Sequence, residues 1–160
     1  MVEPLRSPPP GYWALAAQVA QLRRELVGAY PAVPARRYGT IGDANHQSRQ
    51  SDHNPDQRRY VRALDVPHVE HHGPPLDWLA SFLREVGQAG SQRLNPGGYV
   101  IWDRRIASAR SGWDWETYTG DNPHTANLHV SVSRLPQFYG LSARWNAVLN
   151  IARLKAAEHA

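Results

Sequence analysis

Apolar and polar residues alternate most cleanly at Asn127-Leu128-His129-Val130-Ser131-Val132-Ser133. Leu128, Val130 and Val132 fall on one side, and Asn127, His129, Ser131 and Ser133 on the other. Successive side chains of a strand point to opposite faces, so the pattern predicts a strand over residues 128–132. One face of it packs into a core and the other presents a histidine. A shorter β-prone run, residues 61–66, and a third, residues 99–102, follow the same logic. The third comes directly after the turn signal Asn95-Pro96-Gly97-Gly98.

Helical spacing governs three other stretches. Trp13, Ala16, Ala17, Val19, Leu22 and Leu26 recur at near-helical intervals before Pro31, which predicts a helix over residues 12–30. Leu76, Leu79, Leu83 and Val86 form one stripe after Pro74-Pro75, giving a helix that ends by Gly87 or Gly90. A last helix, residues 142–156, is expected to turn Trp145, Val148, Leu149 and Ala152 inward. Trp113, Trp115 and Tyr118 belong to a loop or edge strand. Helices at both ends of a few short strands predict an α+β fold on a small antiparallel sheet with flanking helices. Neither repeat nor boundary is visible, so residues 1–160 read as one domain behind a Pro-rich lead-in over residues 1–10.

Composition narrows the chemistry. The chain has no cysteine, which removes disulfides, thiolate metal sites and a cysteine nucleophile together. Its formal net charge is +4. The cations are scattered singles and pairs such as Arg23-Arg24 and Arg58-Arg59 rather than a dense run, so a nucleic-acid partner is not expected. No stretch has the apolar length of a membrane span. No basic-then-apolar leader is present at the start, so synthesis in the cytoplasm without a secretion signal is expected.

Asp65 stands between Leu64 and Val66 in a β-prone run, an unusual place for an unpaired carboxylate. Burying a lone charge costs several kcal/mol, so a partner is expected. Arg62 is one candidate. A metal is the other, because His53 and His129 supply imidazoles, and two imidazoles with one carboxylate leave a position open.

The motifs Ser51-x-His53, Ala63-x-Asp65 and Asn122-Pro123-His124-Thr125 leading into His129-Val130-Ser131 occur in that order. Together they resemble the zinc peptidases that include D-Ala-D-Ala carboxypeptidases, phage and actinobacterial wall-lytic peptidases and the hedgehog signalling domain. The stretches from Gly42 to Pro55 and from Tyr99 to Trp102 are similar to the phage and actinobacterial branch. The resemblance covers about Gly42 to Val132, more than half of the chain.

It implies a fold of the hedgehog/DD-peptidase type, with Zn2+ held by His53, Asp65 and His129. It further implies that Arg49 holds a substrate carboxylate or the oxyanion, and that His124 exchanges protons. The implied activity is cleavage of peptidoglycan stem peptides or cross-links by a metal-activated water, carried out by a monomer. Such a protein acts at the cell wall after release or delivery. The chain departs from the pattern in two places. Eleven residues separate His53 from Asp65 where the family has six, Asn54 to Arg59 forming an enlarged loop. Asn127 stands where a histidine is usual. Asn127 shares a strand face with His129, so it is expected to reach the site as a catalytic residue that hydrogen-bonds an intermediate, but an amide cannot take up a proton near neutral pH. The alternative is therefore a zinc-binding module that recognises wall peptide without cutting it. His46, His68, His71, His72 and His159 are read as loop, supporting or terminal residues.

Overall fold

The computed structural model describes residues 3–42 and 50–160. A five-stranded antiparallel sheet is built from β3 (Ala63–Pro67), β4 (Tyr99–Trp102), β5 (Arg105–Ser108), β6 (Glu116–Thr117) and β7 (Asn127–Ser131). Its spatial order is β3-β7-β4-β5-β6, and it does not close into a barrel. Among the described residues, three α-helices complete the mixed α+β architecture: α1 (Ala17–Ala29), α2 (Leu76–Gln88) and α3 (Ala147–Glu158).

Alternation decides which face of the sheet packs. Leu64, Val66, Val100, Leu128 and Val130 are fully buried and share one core with Leu22 and Leu26 of α1 and Leu79 and Leu83 of α2. At the head of α2, Asp77 accepts a 2.7 Å hydrogen bond from Trp102 Nε1, tying that helix to β4. An acid in the first turn also suits the positive end of the helix dipole. The opposite face carries Asp65, His129, Ser131, Tyr99 and Ile101, paired in register across β3, β7 and β4. Residues directly opposite each other in neighbouring strands lie on one face.

Several boundaries differ from those expected. The first helix begins at Ala17, because residues 14–15 instead form β1 (Ala14–Leu15), parallel to β2 (Tyr60–Val61). There Ala14 N–H donates to Arg59 O and Ala16 N–H to Val61 O, both at 3.0 Å, taking the backbone groups a helix would need. The expected strand over residues 61–66 is split at Arg62, whose N–H turns away to Asp52 O at 3.2 Å. The last helix starts at Ala147 and turns Ala147 and Ile151 inward; Trp145 is buried just before it. Val148 and Leu149 face outward at 41% and 72% exposure, and Ala152 is exposed too, contrary to expectation.

The enlarged loop after His53 has a structural task. Asp56 Oδ1 accepts from the N–H groups of Arg58 and Tyr60 at 2.8 and 3.0 Å, and Oδ2 from the Tyr139 hydroxyl at 2.5 Å. The loop then holds the Pro-rich lead-in. Arg58 donates to Leu5 O, Arg59 to Pro8 O and the Tyr60 hydroxyl to Arg6 O. Among the described residues, no helix is long and apolar enough to cross a membrane.

Candidate metal centre

The register of β3 against β7 places Asp65 directly opposite His129. His53 reaches the pair from the loop before β2, buried like His129. The contacts form a nearly equilateral triangle. His53 Nε2 lies 3.2 Å from His129 Nδ1 and 3.2 Å from Asp65 Oδ1, and His129 Nδ1 lies 3.2 Å from the same oxygen. Donors around a tetrahedral ion at about 2.0–2.2 Å stand about 3.3–3.6 Å apart. Two imidazoles and a carboxylate at this spacing therefore fit a small four-coordinate cation. Among the described residues this is the one group of metal-type side chains that converges.

The supporting contacts set the nitrogens for that role. His53 Nδ1 lies 2.8 Å from the Thr40 carbonyl. A carbonyl can only accept, so Nδ1 carries the proton and Nε2 presents its lone pair to the cluster. The position of Thr40 is fixed by Gly39, whose backbone exchanges two hydrogen bonds with Asp65 at 2.8 and 3.0 Å. His129 Nε2 lies 2.8 Å from Ser131 Oγ, one step along the same strand face, leaving Nδ1 for the cluster. Lone pairs facing one another in a largely buried site repel unless a cation or proton lies among them. Arg62 is not the partner of Asp65; it pairs with Asp52.

Electrostatics follow from this crowding. Without an ion, those same nitrogens can carry protons and donate to Asp65; burial raises its pKa, but the hydrogen bonds from His129 and His53 outweigh it and hold the carboxyl well below the ordinary carboxylate range. Burial lowers the His53 pKa, yet the Asp65 carboxylate prevails and the net shift is upward. His124 shifts the other way, its pKa lowered first by burial and then by the charge of His129.

The triangle opens onto a cleft of about 380 Å³ that His124 also lines, with Tyr99, Ile101 and Tyr118. The His124 ring lies 5.5 Å from that of His129 and 5.7 Å from that of Tyr118. Its Nδ1 is 2.7 Å from the Asn122 carbonyl, and its backbone N–H donates to Asn122 Oδ1 at 2.9 Å. The neutral ring thus carries its lone pair on Nε2. The residue holds φ = 53°, a conformation uncommon outside glycine and concentrated at functional sites.

Of the expected site residues, His53, Asp65, His129 and His124 come together. Asn127 shares the strand face of His129 but is not among the residues lining the cleft. Arg49 and His46 lie outside the described residues. His68 and His71 are exposed in a surface loop, the His68 ring 5.9 Å from Trp102. Trp102 and Trp113 are buried in the core, and Trp115 sits under the Arg105 guanidinium.

Tyr99 is the residue that sequence reasoning passed over as a strand former. Its ring stacks on His129 at 5.2 Å and 16°. Burial pushes the pKa of its hydroxyl up to about 12, with the charge of Asp52 adding to the effect. Two positions from Ile101 on a β-prone run, it shares the polar face; that spacing was the available signal. Comparison with protein-family models, with curated proteins and with solved structures finds no match.

Proposed function

We propose that the protein is a zinc-dependent peptidase acting on the peptide stems or cross-links of bacterial peptidoglycan, of the D-Ala-D-Ala-carboxypeptidase type. The observation that carries this reading is the 3.2 Å triangle of His53, Asp65 and His129 with His124 in the same cleft. His53 Nε2, Asp65 Oδ1 and His129 Nδ1 would hold the ion. When bound, zinc supplies Lewis-acid polarisation of a peptide carbonyl and stabilises the negative charge that develops on its oxygen.

The chain's own residues supply the rest. The Thr40 carbonyl and Ser131 Oγ keep both imidazoles in the orientation that leaves their lone pairs inward. Tyr99, flat against His129, closes that side of the ring to water. His124, held neutral near pH 7 by its lowered pKa, takes a proton at Nε2 from the attacking water and passes it to the amine that leaves as the peptide C–N bond breaks. On the resemblance, Arg49 is assigned to the substrate carboxylate or the oxyanion.

Zinc-loaded protein incubated with peptidoglycan of several wall types is expected to release new stem-peptide fragments, read by mass spectrometry. Their absence from every wall type overturns the enzyme reading. Asp65→Ala and His129→Ala are expected to lose the metal. His124→Ala is expected to keep it while turnover falls about 100-fold or more. Stoichiometric zinc in the Asp65→Ala protein contradicts the ligand assignment. A second reading, a zinc-binding module that recognises wall peptide without cutting it, is favoured by Asn127. The residue cannot act as a base and does not line the cleft. Co-sedimentation with peptidoglycan without fragments selects it.

A further inference from the structure

Tyr99 has a second neighbourhood. Beyond it, on the same side of the sheet, a larger cleft of about 730 Å³ runs between the turn before β4 and the end of β5. Tyr99 lines both clefts and is the residue they share.

Two arginines line the second cleft from different parts of the chain, Arg110 after β5 and Arg134 after β7. Many of the other arginines are occupied: Arg62 holds Asp52, Arg84 holds Asp114, Arg153 holds Glu85 and Arg23 holds the Ala35 carbonyl. Neither Arg110 nor Arg134 has a side-chain hydrogen bond or ion pair among the described residues. Arg134 is nonetheless positioned. Its N–H donates to Pro96 O at 3.0 Å, and its stem lies across Gly97 so closely that a Cβ there would meet Arg134 Cδ at 2.6 Å. Gly97, at φ = +86°, suits both the turn and this overlay. Glu116 is the one acid lining the cleft, so its formal charge is net positive.

We propose that this cleft is a carboxylate subsite, in which Arg110 and Arg134 bind a free carboxylate that the peptide ligand carries away from the bond at the metal centre. The assignment rests on the peptidase reading for the identity of the ligand, and on the cleft itself for its chemistry. Planar guanidinium groups pair with carboxylates through parallel N–H···O bonds, giving geometric selection as well as charge. The ligand class is therefore an anionic peptide, and amidating its carboxylates removes what the cleft recognises.

The test uses the full zinc-loaded chain and two forms of one stem pentapeptide, L-Ala-γ-D-Glu-L-Lys-D-Ala-D-Ala, with carboxylates free or amidated. Dissociation constants come from calorimetric titration, and kcat/KM ratios replace them where fragments form. The free form is expected to be preferred about tenfold or more. In the Arg110→Gln/Arg134→Gln double variant that preference is expected to fall several-fold, with zinc content unchanged. A native protein that does not discriminate, binds neither peptide, or keeps its full preference in the double variant overturns the subsite. Binding with the expected discrimination, but no fragments from this peptide or from any of the wall types, overturns the peptidase reading and leaves the subsite standing. Fragments without discrimination do the reverse.

Discussion

His53 and His124 line one cleft, yet their surroundings push their protonation in opposite directions. Burial acts on both to favour the neutral ring; the Asp65 carboxylate opposes it at both, but prevails only at His53, which it also hydrogen-bonds. In metal-free protein, ring titrations by NMR are expected to place His53 above 6.5 and His124 below it. The consequences for stability have opposite signs. Protonated His53 stabilises the metal-free fold fully below about pH 6.5, and the benefit is lost as pH rises through its raised pKa. Neutral His124 stabilises above about pH 6.5, and that contribution is lost as pH falls through its lowered pKa. Zinc competes with the proton on His53, so metal affinity is expected to climb with pH through the same interval. A His53 titration left unchanged by stoichiometric zinc contradicts its place in the triangle.

At the scale of elements, the candidate metal centre depends on two strands in register and one loop whose length departs from the family resemblance. The loop's fixed point is Asp56, with three accepted hydrogen bonds. Asp56→Ala is expected to destabilise the fold by roughly 2–3 kcal/mol in denaturant unfolding. Zinc stoichiometry should persist, because His53 is held independently by Thr40 and by the Gly42 N–H bond to its carbonyl at 2.9 Å. Strand β7 and helix α2 were legible because each buries one face, so burial writes a period into the sequence. Strand β5 was not: Arg105-Ile106-Ala107-Ser108 buries Ala107 alone and carries no such signal. Val148 and Leu149 misled because apolar residues on the surface obey no packing rule. The ligand types at the site were legible as residues. Their convergence was not, since the Asp65–His129 register is a long-range property. The Thr40 contribution comes through a backbone carbonyl, which no residue type encodes.

For the whole molecule, α1 and α2 back the sheet, and its polar face is left for the two clefts. Leu83, fully buried among them, joins α2 to the common core, whereas the site-bearing residues stand on the far side of the strands. Packing and chemistry are thus divided between two faces of the same five strands. The triangle also joins distant parts of the chain, for His53 and His129 are 76 positions apart. An ion shared between them turns that stretch into a closed ring. Stretched between its ends in an optical trap, a metal-loaded molecule is expected to release a contour shorter by about 25–27 nm than the chelated one until the ion lets go. Metal occupancy would then be countable one molecule at a time, as a length.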